Sequence, residues 1–316
     1  MVHSPSRSPR LVALLSKQSA AQPVLAQPKP GPAALSSRDE TKRMRIFISV
    51  DIEGVAGVTE ALQGTRGNAE YETARRLMTE EANAAIRGAF AGGATEVIVA
   101  DSHGPLRNMM VEDLDPRARV VSGRPRPHSM GQGLDASCDG AIFIGYHASA
   151  DHQGVLAHTI NGLAFARIEI NGVQAGEPTI FGGFAAELGV PLLAVSGDDQ
   201  LAKEIAGQFP SSRRIVVKEA LGGSVASSLS PKAARELIEA EVTAALKNAG
   251  SAKPEGPCIT PLNVTVHFNK QIFADAAVMV PTVERAGARA VRFTSANHEE
   301  LIGTLTILSM ISSSLA

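Results

Sequence analysis

Four short apolar runs punctuate the chain: Ile46-Phe47-Ile48-Ser49-Val50, Val97-Ile98-Val99-Ala100, Ala141-Ile142-Phe143-Ile144-Gly145 and Pro191-Leu192-Leu193-Ala194-Val195. Each is too short for a helix and rich in residues that fit a pleated surface, which predicts buried strands. Between the first two, Met78, Ala82, Ala85, Ile86, Ala89 and Phe90 recur at the spacing of one helical face. That periodicity predicts a helix over 69–91, ended by Gly92-Gly93. After residue 200 the alternation continues, with a helix near 199–207, a strand over 214–218 and a helix opened by Ser230-Pro231, a cap followed by a first-turn proline. Pro254 to Pro261 reads as a loop, Leu262 to Phe268 alternates as a strand, and a strand near 288–294 precedes a terminal helix from Leu301 to Ala316. No internal repeat of fixed period is visible. Apolar strands alternating with helices predict an α/β fold built on a mostly parallel sheet flanked by helices. At 316 residues the chain exceeds the usual single-domain length, so a first α/β domain over 44–200 and a second, smaller α/β domain over 201–316 are expected.

Composition separates the N-terminal arm from the rest. Residues 1–43 are dominated by Ser, Pro, Ala and Gln, with Lys and Arg present and no acid before Asp39, so a disordered extension is expected. Leu11-Val12-Ala13-Leu14-Leu15 is too short for a signal-peptide core, and a transit peptide would need more amphipathic helix. Met44, directly before the first strand, leaves a mis-assigned start as the plain alternative. Over the whole chain, 44% hydrophobic and 20% charged residues are ordinary for a globular protein, and no stretch approaches the roughly 18 apolar residues of a membrane span. A formal net charge of −2 gives no reason to expect nucleic acid as a partner. The two cysteines, Cys138 and Cys258, form no Cys-x-x-Cys pair, which fits a reducing, cytoplasmic setting. Any metal must then be held by His and carboxylate, a set suited to zinc, manganese or iron.

The strand ends carry the candidate chemistry. Asp51 and Glu53 follow the first strand, and side chains two apart on extended backbone point the same way. His103 follows the second strand and His147 the third. Taken singly each has a bland explanation: the acids can cap a turn or hold phosphate-bound magnesium, His103 can tie down a turn, and His147 can be a satisfied core histidine. Three strands ending in metal-capable side chains point instead to one site at the carboxyl edge of the sheet. His152 and His158 place more imidazole near that edge, suited to moving protons near neutrality. Glu177 can add a carboxylate or merely open a helix, and Asp198-Asp199 can likewise be a cap. His128, His267 and His298 have no comparable context.

In order along the chain, Ser49-Val50-Asp51-Ile52-Glu53-Gly54, Met78-Thr79-Glu80-Glu81-Ala82-Asn83, Asp101-Ser102-His103, Gly145-Tyr146-His147-Ala148 and Gly197-Asp198-Asp199 resemble the DppA-type zinc-dependent D-aminopeptidase family over about residues 44–316. The resemblance implies two zinc ions bridged by Asp51, with Glu53 and His147 on one, His103 and Glu177 on the other, and His158 as the catalytic histidine. It implies hydrolysis of an N-terminal D-residue, D-Ala foremost, from short peptides by a zinc-activated water, in a ring-shaped homo-decamer. The sequence departs from the family pattern in three places: one extra residue between His158 and Glu177, Pro178 after the acid, and no Arg near Gly223. The extension 1–43 has no counterpart in it. A metal-dependent amidase or phosphatase, or a non-catalytic peptide-binding protein with a structural metal, are the alternatives. The phosphatase is weakened because no cation directly follows the ligand motifs, Arg107 being the first after His103.

Overall fold

The apolar runs become neighbouring strands of one sheet. In the computed structural model, which describes residues 43–316, β1 (Arg45–Val50) lies between β2 (Glu96–Asp101) and β4 (Gly140–Ile144), parallel to both. β3 (Ala118–Val121) extends the sheet beyond β2; β7 (Leu192–Asp198), β8 (Arg213–Gly222) and β9 (Val225–Ser228) extend it beyond β4. The order is β3-β2-β1-β4-β7-β8-β9, with β9 alone antiparallel to its neighbour. The period of two in each strand sorts side chains between two cores. Ile46, Ile48, Val50, Val97, Val99, Ile142 and Ile144 join the core shared with α1 (Ala69–Ala91) and α4 (Pro231–Lys247). Phe47, Ile98, Ala141 and Phe143 face the other way, into the core that holds Ile180, Phe181 and Phe184 of α2 (Glu177–Glu187). Both faces are covered, which is why these strands are continuously apolar.

The second sheet has the order β11 (Glu284–Gly287), β12 (Ala290–Ser295), β10 (Leu262–Phe268), β5 (Phe165–Ile170), β6 (Val173–Gln174) and is antiparallel throughout. Its one-sided burial explains its sequence. In β10 Leu262, Val264, Val266 and Phe268 are buried, while the residues between them are exposed or half-buried. α5 (Gln271–Ala277) and α6 (His298–Ser314) accompany this sheet, and α3 (Asp199–Gln208) follows β7. The expected division at residue 200 crosses both sheets: β5 and β6, before it, pair in the second, whereas β8 and β9, after it, pair in the first. The expected disordered extension lies outside the described residues except for Arg43. Among the described residues no helix is long and apolar enough to cross a membrane.

Helix ends follow local chemistry. Asn68 accepts a hydrogen bond from Tyr71 N at the start of α1, and Ser230 accepts one from Ala233 N at the start of α4. The two helices touch at Gly88, where a Cβ would lie 2.6 Å from the Glu239 carbonyl oxygen and 3.0 Å from Val242 Cβ. Alanine there would gain about 1 kcal/mol of helix propensity, but forcing the helices apart costs typically 1–3 kcal/mol. Gly88→Ala is therefore expected to lower stability in urea unfolding by about 1 kcal/mol, and a stabilised variant would show that the contact yields freely.

Candidate metal centre

β1 is the point where strand order reverses, because the chain builds outward through β2 and β3 on one side and through β4, β7 and β8 on the other. Open parallel sheets form a crevice at such a point, beyond the strands' carboxyl ends. Asp51 and Glu53 enter it from β1, His103 from β2 and His147 from β4. The loops after β1 and β4 lie in contact: Asp51 N donates to Ile144 O at 2.8 Å and Gly54 N to Gly145 O at 2.7 Å. A Cβ on Gly54 would lie 1.8 Å from the Tyr146 carbonyl oxygen, so no side chain fits there. This contact sets the separation of the two loops that carry Asp51, Glu53 and His147.

The structure brings all six sequence-identified side chains together. His103 Nδ1 lies 3.0 Å from Glu53 Oε2 and 3.3 Å from Asp51 Oδ1. His147 Nε2 lies 3.3 Å from Glu177 Oε2 and 3.5 Å from Asp51 Oδ2. His158 Nε2 is 3.9 Å from Glu177 Oε1, and its ring stacks on that of His147 with centroids 4.1 Å apart. Two trios result, Asp51-Glu53-His103 and His147-His158-Glu177, and Asp51 turns one oxygen toward each. This grouping differs from the one implied by the resemblance, which pairs Glu53 with His147 and His103 with Glu177. The Glu53 carboxylate turns toward His103 at the end of the neighbouring strand β2, whereas Glu177 opens α2 beside His147. Gly176 is the N-cap of α2, and a carboxylate in that first turn is favoured by the helix dipole.

Each imidazole is held by a backbone carbonyl on its far nitrogen. His103 Nε2 donates to Gly64 O at 2.8 Å, His147 Nδ1 to Ala148 O at 3.0 Å and His158 Nδ1 to Leu156 O at 2.9 Å. In the neutral ring, the inner nitrogen then presents a lone pair to carboxylate oxygens. Lone pair against carboxylate is repulsive unless a proton or cation lies between them. His147 Nε2 and Glu177 Oε2 are buried without a hydrogen-bond partner, which is the signature of a position that takes a cation. Outer-nitrogen carbonyl partners of this kind orient metal-ligating histidines, so the residues fit a metal.

Electrostatics agree. Burial, followed by the Glu53 charge, raises Asp51 to about 7. Burial alone would lower the imidazoles of His103 and His147, but the Glu53 charge outweighs it at the first and the Glu177 charge at the second, and both rise well above the usual imidazole range. Burial would likewise raise Glu53 and Glu177, yet His103 and His147 respectively hold them down. Without metal the cluster thus keeps protons as its counter-charge. His158 is lowered, by burial first and by His147 second.

Buried groups behind the cluster hold these side chains in place, and most of them carry no local signal in the sequence. Lys218 on β8 is 2% exposed, and its ammonium donates to the carbonyls of Glu53, Val55 and Val58 at 2.5, 3.1 and 2.6 Å. Burial lowers it to about 8. Glu81 of α1 accepts from Ala56 N in the same loop at 2.9 Å. Asp101 accepts from Asn108 Nδ2 and Met109 N, shaping the turn after His103. Asp198 caps α3 and also accepts from Val155 N, so it secures the loop between His147 and His158 and is no member of the trios. The remaining histidines among the described residues pair elsewhere: His152 with Glu204, His128 with Glu299, His298 with Glu187, while His267 lies 4.0 Å from Glu169.

A doubly wound parallel sheet with a carboxylate–imidazole cluster at its switch point defines an α/β protein with two adjoining groups of metal-capable side chains. Residues 44–307 match the peptidase M55 D-aminopeptidase family, and the chain belongs to it. It is an enzyme of that family, a hydrolase acting on peptide bonds. It is 35% identical over 267 residues to a D-aminopeptidase of Bacillus subtilis strain 168, an alignment spanning 84% of this chain and 97% of the relative. The structure matches that of the Zn-dependent D-aminopeptidase DppA from Bacillus subtilis, described as a self-compartmentalizing protease, with a TM-score of 0.82 and 34% identity over 85% of this chain and 98% of the other.

Replacing Lys218 by Met would leave three buried carbonyls without their donor. Removing one partner from a buried charged contact costs roughly 3 kcal/mol. Urea unfolding of metal-free Lys218→Met should show a loss of that order, and a change below about 0.5 kcal/mol would mean the ammonium does not hold the loop.

Proposed function

We propose that the chain is a zinc-dependent D-aminopeptidase that removes an N-terminal D-residue, D-Ala foremost, from short peptides at a two-zinc centre. The observation that carries this reading is Asp51, whose two carboxylate oxygens turn to separate ligand trios. Asp51 would bridge the ions, with Glu53 and His103 completing one site and His147 and Glu177 the other. Two such ions polarise a peptide carbonyl and lower the pKa of water, supplying hydroxide at neutral pH. The family membership and the zinc dependence of the structural relative support the choice of metal and substrate.

His158 serves as the proton carrier. Its Nδ1 is tied to Leu156 O, so Nε2 is the free nitrogen, and the group lines the cavity above the centre. The lowered pKa keeps it neutral at the start, able to take a proton and pass it to the departing amine. The cavity, about 670 Å³, also includes Asp51, His103 and Glu177 in its wall, so a peptide entering it meets the centre directly. D-selectivity would arise from the shape of this cavity. The relative's self-compartmentalizing description supports a homo-oligomer, a decamer in this reading. Free, buried Cys138 and Cys258 fit a cytoplasmic setting.

His103→Ala and Glu53→Ala should each abolish both zinc retained after dialysis, measured by elemental analysis, and cleavage of D-alanyl dipeptides. Full activity in either variant would overturn the centre. Matched D- and L-alanyl dipeptides test the stereochemistry, and equal rates would remove the D-specific part. Because zinc must displace protons from His103 and His147, zinc retention should fall as pH drops from 8 to 5.

A further inference from the structure

The cavity wall contains one cation that neither the centre nor its supporting shell uses. Two arginines line the cavity, Arg124 and Arg126. Arg126 is 8% exposed, and its guanidinium donates to the carbonyls of Asp101 at 2.9 Å, of Leu106 and Val121 at 3.0 Å each, and of Gly123. It is fully engaged in fixing the loop that follows β3. Arg124 stands two residues earlier on that anchored loop, is exposed, and has no ion pair or side-chain hydrogen bond among the described residues. Away from the centre the remaining wall carries no charge: Leu106, Met130 and Ile160 are apolar, and α6 contributes Thr306, Ser309 and Ser313. Outside the centre the cavity wall therefore carries a single available guanidinium, on the loop.

We propose that Arg124 binds the C-terminal carboxylate of the substrate, so that the site favours very short peptides ending in a free carboxylate. The inference rests on the aminopeptidase reading. A short peptide ends in an anionic carboxylate close to its scissile bond, and Arg124 is the unengaged cation that the cavity wall offers it. Each residue adds at most about 3.5 Å of reach, so in a dipeptide the carboxylate lies one residue beyond the scissile carbonyl. A guanidinium accommodates it with two parallel hydrogen bonds, a geometry that an ammonium cannot reproduce. Such a contact would select for length and orient the peptide with its amine toward the centre.

The test compares D-alanyl-D-alanine with its C-terminal amide on zinc-loaded wild type, Arg124→Gln and Arg124→Lys. Wild type should favour the acid in kcat/KM by on the order of tenfold, carried by KM. In Arg124→Gln the acid-to-amide ratio should fall to near one, with Arg124→Lys between. Raising the salt should shrink the wild-type ratio, because a partly exposed charge contact is screened. An unchanged ratio in Arg124→Gln, or no preference in wild type, overturns the assignment of Arg124. Failure of wild type to cleave either compound overturns the aminopeptidase reading itself.

Discussion

The centre depends on concentrating three carboxylates, Asp51, Glu53 and Glu177, where water barely reaches. Such a cluster is unstable without compensating positive charge. The protein supplies it in layers: imidazoles that take up protons, the N-terminus of α2 behind Glu177, and the buried ammonium of Lys218 beneath the loop that carries Glu53. The backbone is arranged around the same constraint. Gly54 lies against Gly145 and Tyr146 so that two strand ends approach closely enough to share Asp51. A carboxylate site at a sheet edge is thus a property of the entire first sheet, from α1 through β8.

Much of the first sheet was legible because its strands are buried on both faces and therefore apolar without interruption. Helix α1 matched its periodicity, and Ser230-Pro231 opened α4 as its residue types suggested. The clustered side chains were legible for a related reason: polar, metal-capable side chains stand out immediately after an apolar strand. Glu177 was harder, since a first-turn acid has a purely local explanation and here serves both purposes. The β5–β6 hairpin carried a signal that went unused, Asn171-Gly172, both with positive φ (51° and 81°), the residues a tight two-residue hairpin turn favours. The antiparallel pairing of the second sheet was not legible, because strand direction depends on long-range closure that no local pattern records.

The supporting shell was the least legible part. Lys218 lies in Val217-Lys218-Glu219, which looks like a strand turning to solvent, yet the side chain points inward beneath the β1 loop. A buried lysine cannot be recognised from its own segment, since its three acceptors lie about 160 residues earlier. The same holds for Glu81, whose role is visible only once Ala56 N is seen to need an acceptor. Pairing within the centre had a similar origin, because which imidazole faces which carboxylate follows from how the loops after β1, β2 and β4 and the start of α2 meet beyond the sheet edge.

The six clustered side chains come from positions 51 to 177, and they are delivered by three strand ends, the loop after β4 and a helix that begins only after the β5–β6 hairpin. No contiguous fragment of that stretch holds the set, and α2 docks through the core it shares with the second sheet. The cluster is therefore a record of chain topology: its six side chains meet only in a molecule whose crossovers from β1 to α2 are complete.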